Sequence, residues 1–117
     1  MFDVFQAERS CYFVVEINAA VCGGAGIYPT EDLPQDTCEL VKMYLLPKAR
    51  GKGIAKVLLQ KCMAEANRQG FKKMYLESMP ELVNAIAMYE KNGFEFIKGP
   101  MGNSGHTGCE VFMIKDL

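Results

Sequence analysis

Residues 38–78 carry the pattern that most limits the fold. CELVKMYL, residues 38–45, reads as a strand. It runs into a basic junction, LLPKARGKG, residues 45–53. From Gly53 the period changes to that of a helix. Ala55, Leu58, Leu59, Cys62, Met63 and Ala66 form one wide apolar face, with Lys56, Gln60, Lys61 and Asn67 on the other side. Gly70 is placed to end that helix. KKMYLES, residues 72–78, is the next strand. Strand, helix and strand in this order require a right-handed parallel crossover.

The flanking segments are read the same way. CYFVVEI, residues 11–17, alternates with Phe13, Val15 and Ile17 on one face. AVCGGAGIY, residues 20–28, is a second strand, reached through a turn at Asn18 and Ala19. Its glycines predict a bulge or a close backbone contact, and no helix follows them as a phosphate loop would need. A second helix is expected from Ser78, whose spacing to Glu81 is that of a capping box, with Pro80 in its first turn. Leu82, Ala85, Ile86 and Tyr89 share its apolar face, and Gly93 stops it. FEFIK and CEVFMIKDL make a final antiparallel pair around a glycine-rich loop, residues 99–108.

At 117 residues the chain suits one domain with a modest core. Half its residues are hydrophobic and 23% are charged, a globular composition. A formal net charge of -1 gives no bulk reason to expect nucleic acid, so any anion site must be local. No apolar run approaches the roughly 20 residues that span a bilayer, and no signal peptide is read, so no membrane association is expected. The cysteines, Cys11, Cys22, Cys38, Cys62 and Cys109, are scattered without C-x-x-C pairs. They are expected as reduced, mostly buried thiols of a cytoplasmic protein, without a metal site.

The junction between the central strand and helix has a chemical meaning. The N–H groups of a helix's first turn have no partner within the helix, and the dipole there is positive. Gly51 and Gly53 would let a ligand approach the backbone, and Arg50, Lys52 and Lys56 add charge. The combination is an anion cradle suited to phosphate or pyrophosphate. The same residues would also serve as a solvated basic turn. Two better-known glycine motifs are excluded. G-x-x-x-x-G-K-[ST] is absent, and G-x-G-x-x-G fails because Lys56 stands where the third glycine belongs.

Arg50-Gly51-Lys52-Gly53-Ile54-Ala55 resembles the [RQ]-x-x-G-x-[GA] signature of the GNAT superfamily of N-acetyltransferases. AIAMYEKNGF, residues 85–94, resembles that family's second motif, in the same order and spacing. The resemblance covers residues 11–117. It implies an α/β (α+β) fold, a mixed, mostly antiparallel twisted sheet with a central parallel pair splayed around the cofactor and two main flanking helices. It implies an acyltransferase moving an acetyl group from acetyl-coenzyme A to a primary amine, on a small molecule or a protein, by direct attack. No metal is implied.

Carried over by position, the pyrophosphate would meet the amides of Arg50, Gly51, Lys52, Gly53, Ile54, Ala55 and Lys56. Pantetheine would pair with the strand backbone at Met43, Tyr44 and Leu45, and an N–H near Met43 would polarise the acetyl carbonyl. Tyr89 matches the family's general acid; a phenol with a pKa of about 10 stays protonated at neutral pH. Its other reading is a core tyrosine packed with Leu82 and Ile86. Glu39 is the candidate base, expected by alternation to share a face with Val41, Met43 and Leu45. It could equally be an edge glutamate, and loss of the amine proton to water is the other route. His106 lies in GPMGNSGHTGC, on the acceptor-side loop, where it would bind substrate or relay a proton. Cys109 reads more simply as a packed strand cysteine. The family's pantetheine-binding asparagine falls at Leu82, and Asn84 is two residues late, so that role is not carried over.

The family usually opens with a strand and helices that wall the acceptor site. Here MFDVFQAERS is expected to supply only the tail of a helix. CYFVVEI would then present an unpaired edge, which a homodimer would complete. Two other readings stay open: a coenzyme A-binding module without turnover, or a truncated fragment of a larger acetyltransferase. An unrelated phosphate-binding α/β domain is the reading outside the family.

Overall fold

The runs read as strands all form strands, and another strand precedes them. The computed structural model of the chain describes residues 9–30, 33–101 and 110–117, together with the backbone of 2–7. In chain order the elements are β1 (Phe2–Ala7), β2 (Ser10–Ile17), β3 (Ala20–Tyr28), β4 (Thr37–Leu45), a 3-10 turn (Pro47–Ala49) and α1 (Ile54–Arg68). There follow β5 (Lys73–Ser78), α2 (Val83–Lys91), β6 (Glu95–Ile97) and β7 (Val111–Asp116). One seven-stranded sheet runs in the order β1-β2-β3-β4-β5-β7-β6. Its neighbours pair antiparallel except β4 and β5, which are parallel, as the crossover through α1 requires.

The first correction lies at the N-terminal end. Residues 2–7 are not the tail of a helix. β1 pairs with β2 along its whole length, from Phe2↔Val15 to Ala7↔Ser10. The edge position passes to β1, and the case for a homodimer that completes an open β2 edge falls with it. The second hairpin forms where expected, with Asn18 at φ 53 and Ala19 at φ 66.

The second correction is the start of α2. Ser78 does not cap it. Ser78 ends β5, opposite Val111, and its carbonyl accepts the Glu110 N–H. The helix begins at Val83 with Leu82 as its uncapped N-cap residue. Leu82 is therefore exposed rather than packed beside Ile86 and Tyr89.

The face of α1 built from Leu58, Leu59, Cys62 and Ala66 is buried against Cys11, Ala25, Cys38 and Leu40 of β2, β3 and β4. Burial pushes the Cys38 and Cys62 thiols up to about 12, so both stay protonated and unreactive.

The glycines of β3 make room for neighbours. A Cβ on Gly26 would lie 2.5 Å from Tyr12 Cδ1 and 2.6 Å from the Cys11 carbonyl oxygen. The carbonyl belongs to the paired strand and cannot step aside. Gly26→Ala is therefore expected to cost about 1–3 kcal/mol, the usual penalty of overpacking, read as a lower urea midpoint. An unchanged midpoint would contradict the close contact.

The third correction concerns register. Gly26 pairs with Val41 but Gly24 pairs with Tyr44, so Lys42 and Met43 together oppose Ala25. This is a β-bulge, and Lys42 takes the left-handed conformation at φ 53. A bulge resets the alternation. Glu39 shares its face with Val41 and Tyr44, while Leu45 turns to the α1 side with Leu40. The expected common face of Glu39, Met43 and Leu45 does not exist.

Candidate active site

β4 and β5 are paired only at their beginnings. The parallel ladder runs Thr37↔Lys73, Cys38↔Met74 and Glu39↔Tyr75, and then stops. β4 continues to Leu45 and β5 to Ser78 without pairing to each other. Met43, Tyr44 and Leu45 lie on this diverging stretch. The strand edge there offers main-chain groups to an extended ligand.

The stretch leads straight into the basic loop. The Leu46 N–H donates to the Cys22 carbonyl at 2.7 Å, tying the end of β4 to β3. Arg50 Nε donates to the Leu45 carbonyl at 2.9 Å, so this arginine clamps the loop onto the strand it follows. Gly51 and Gly53 both have φ 74, the left-handed region that only glycine enters at little cost. Gly53 is the N-cap of α1 and no side chain caps the helix, nor is there an acidic residue in the first turn. A Cβ built on Gly51 or Gly53 would meet nothing within 4 Å. The loop thus holds open space against bare backbone at a helix N-terminus, with Lys52 and Lys56 exposed beside it. These are the features a phosphate group needs. Ile54 is in the core and Ala55 is half-buried, so both would offer only main chain.

Beside the loop lies a groove of about 350 Å³ between the start of α1 and one face of α2, lined by Lys56, Asn84, Ala87, Met88, Lys91 and Asn92. Lys91 and Asn92 carry no role in the sequence reading, and none is carried over to Asn84. The signal was present: positions 84, 87, 88 and 91 are three, one and three apart, one face of a helix.

Tyr89 projects from the opposite side of α2 into the interior, where its ring meets Phe94 edge-on at 5.8 Å. Its hydroxyl donates to Met43 Sδ at 3.6 Å. The structure therefore brings together Tyr89 and Met43, which are 46 residues apart. A thioether is a weak acceptor, so the hydroxyl keeps most of its capacity to donate elsewhere. Burial, and secondarily the nearby Cys62 thiol, push its pKa up to about 12.

Glu39 sits where the β4–β5 ladder ends. It is 1% exposed, and Thr30 Oγ1 donates to its Oε1 at 2.6 Å. On the same face, the Tyr75 hydroxyl donates to Glu77 Oε2 at 2.6 Å and accepts the Met101 N–H at 3.0 Å. His106 and Cys109 lie outside the described residues. Among the described residues no three metal-ligating side chains gather, and no helix is long and apolar enough to cross a membrane.

The model of the acetyltransferase (GNAT) family matches residues 1–94. Over 117 residues the chain is 45% identical to the uncharacterized N-acetyltransferase YjgM of Escherichia coli strain K12, across 100% of this chain and 70% of that protein. Among solved structures, a GNAT-family acetyltransferase of Staphylococcus aureus Mu50 superposes with a TM-score of 0.82 at 22% identity, covering 92% of this chain and 68% of that one. PaiA N-acetyltransferase of Thermoplasma acidophilum, solved in complex with coenzyme A, superposes with a TM-score of 0.74 at 19% identity, covering 92% of this chain and 61% of that one. These two likenesses bear on the fold, while the family match and the likeness across all 117 residues bear on descent. By both, the chain belongs to the GNAT family of acetyltransferases.

Proposed function

We propose that the chain transfers an acetyl group from acetyl-coenzyme A to a primary amine, on a small molecule or a protein, by direct attack. One observation carries this reading. The Tyr89 hydroxyl rests against Met43, on the stretch of β4 that β5 leaves unpaired and that leads into the open glycine loop. Acetyl-coenzyme A, when bound, supplies an activated acyl group on sulfur. The chain's own residues do the rest. The amides of residues 50–56, with Lys52 and Lys56, hold the pyrophosphate, and the main chain at Met43, Tyr44 and Leu45 holds the pantetheine arm. Lys91, Asn84 and Asn92 extend the polar lining beside the loop.

The Met43 N–H stabilises negative charge on the acetyl oxygen. Tyr89 gives a proton to the departing sulfur. Glu39, oriented by Thr30, takes the proton of the amine; burial at 1% exposure favours doing so through an intervening water. His106 enters on the motif resemblance alone, as a residue on the acceptor side. Cys22, Cys38 and Cys62, all buried and without C-x-x-C spacing, suit a reducing compartment, so the cytoplasm is the proposed location.

Thermal unfolding with added nucleotides tests the cofactor. Acetyl-coenzyme A at a hundredfold excess over its Kd should add about 2.7 kcal/mol of stability, while ATP and NAD add none. Equal protection by ATP would return the loop to an unspecialised phosphate site. Thiol release across a panel of amines then tests transfer. Protection without release for any amine would favour a coenzyme A-binding module.

A further inference from the structure

Tyr12 has no part in the roles above, yet it reaches the centre of the site. It stands on β2, where its register partner is Gly26 of β3. Neither Gly24 nor Gly26 carries a side chain, so the Tyr12 ring lies down across β3. A Cβ on Gly24 would fall 2.7 Å from both Cε2 and the hydroxyl oxygen of Tyr12. The ring thereby crosses β3, and its hydroxyl donates to the Lys42 carbonyl oxygen of β4 at 2.9 Å. Burial, and then the neighbouring Tyr44 phenol, raise the Tyr12 pKa above its ordinary 10.0, so the hydroxyl remains a donor.

The acceptor is a particular one. Lys42 is the bulge residue, held at φ 53, a conformation that side chains other than glycine, asparagine and aspartate seldom adopt. Its carbonyl belongs to the same planar peptide unit as the Met43 N–H. In a trans peptide the oxygen and the hydrogen point in opposite directions, and the described chain has no cis bond. An oxygen fixed toward Tyr12 turns the Met43 N–H away from Tyr12.

We propose that Tyr12 is a positioning residue for acetyl transfer: its hydroxyl, laid over the Gly24 and Gly26 backbone, holds the Lys42–Met43 peptide in the one orientation that presents the Met43 N–H to the acetyl oxygen. The inference rests on the role proposed above for that N–H. It also gives the β3 glycines a purpose beyond packing. They open a path for a side chain of β2 to govern the backbone of β4.

Tyr12→Phe keeps the ring on its glycine bed and removes only the hydroxyl. The Met43 amide resonance of the ligand-free protein should move or broaden. With acetyl-coenzyme A, kcat should fall by about 10-fold or more, as displaced catalytic groups generally cause, while the Kd of coenzyme A stays within about twofold. Glycine at position 42 adopts the left-handed conformation unaided. Lys42→Gly in the Tyr12→Phe background should therefore return the resonance and most of kcat, a rescue that general loosening of the fold would not give. Full kcat with an unmoved resonance in Tyr12→Phe overturns the proposal, and so does a double variant as slow as the single one. If the wild-type chain transfers acetyl to no amine, the proposed function fails separately. The resonance then decides alone: unmoved, it overturns the hold on the peptide; moved and restored by Lys42→Gly, it supports it.

Discussion

Tyr89→Phe is expected to slow acetyl transfer by about 10²-fold or more while changing the Kd of coenzyme A by less than about twofold. The hydroxyl's visible partner is a thioether 3.6 Å away, so its loss leaves no strong acceptor stranded. The ring stays against Phe94 and the fold is kept. On the role proposed for it, what disappears is a proton donor that acts only as the sulfur departs, so the loss should fall on kcat and not on binding. Wild-type turnover in the variant would return Tyr89 to the core. The pKa supplies a second reading. With its pKa pushed up to about 12, the phenol remains an acid across neutral and mildly alkaline pH. The sign for stability follows from the same shift. Below pH 10.0 the phenol is neutral in both states and its burial stabilises the fold in full. As pH rises from 10.0 toward about 12, the unfolded chain releases a proton that the folded chain retains, so stability falls. That contribution to alkaline unfolding should vanish in Tyr89→Phe.

The parts of the molecule legible in the sequence are those whose pattern is local. β2 and α1 follow directly from an alternating run and a 3.6-residue period ending at Gly70. The turn of the glycine loop is legible because the left-handed backbone at Gly51 and Gly53, both at φ 74, is one that glycine enters at little cost. What escaped depends on partners far along the chain. β1 offers only a short alternation, Phe2 and Val4 around Asp3, and exists by pairing with β2. The capping-box spacing at Ser78 is genuine, but the β5–β7 ladder claims that residue first. Nothing about a lysine announces a left-handed backbone, so alternation carried past Lys42 assigns Met43 and Leu45 to the face of Glu39 and Val41, which they do not share. The bond from Tyr12 to Lys42 spans 30 residues and three strands, and no window of sequence contains it.

Gly53→Val is expected to weaken coenzyme A binding by about 10²-fold or more, the loss of a pair of charge-assisted hydrogen bonds worth roughly 1.5–3 kcal/mol each. The fold should survive. A Cβ at Gly53 meets nothing within 4 Å, so no protein atom has to move. The variant does carry backbone strain, since φ is 74 and a β-branched residue resists that region; about 1–2 kcal/mol of stability should be lost. Strain alone could distort the loop, and Gly70 provides the comparison. It also lies in the left-handed region, at φ 91, and a Cβ there also meets nothing within 4 Å. It follows the opposite end of α1, away from the bare first-turn amides. Gly70→Val should therefore cost similar stability and leave coenzyme A affinity untouched. Titration calorimetry on both variants, each confirmed folded by circular dichroism, separates the two effects. Affinity lost only in Gly53→Val places the phosphate against that backbone, because only there does the added side chain occupy the space a ligand needs. Equal affinity in the two variants would mean that the open space at Gly53 is solvent and that the charge of Lys52 and Lys56 serves no phosphate.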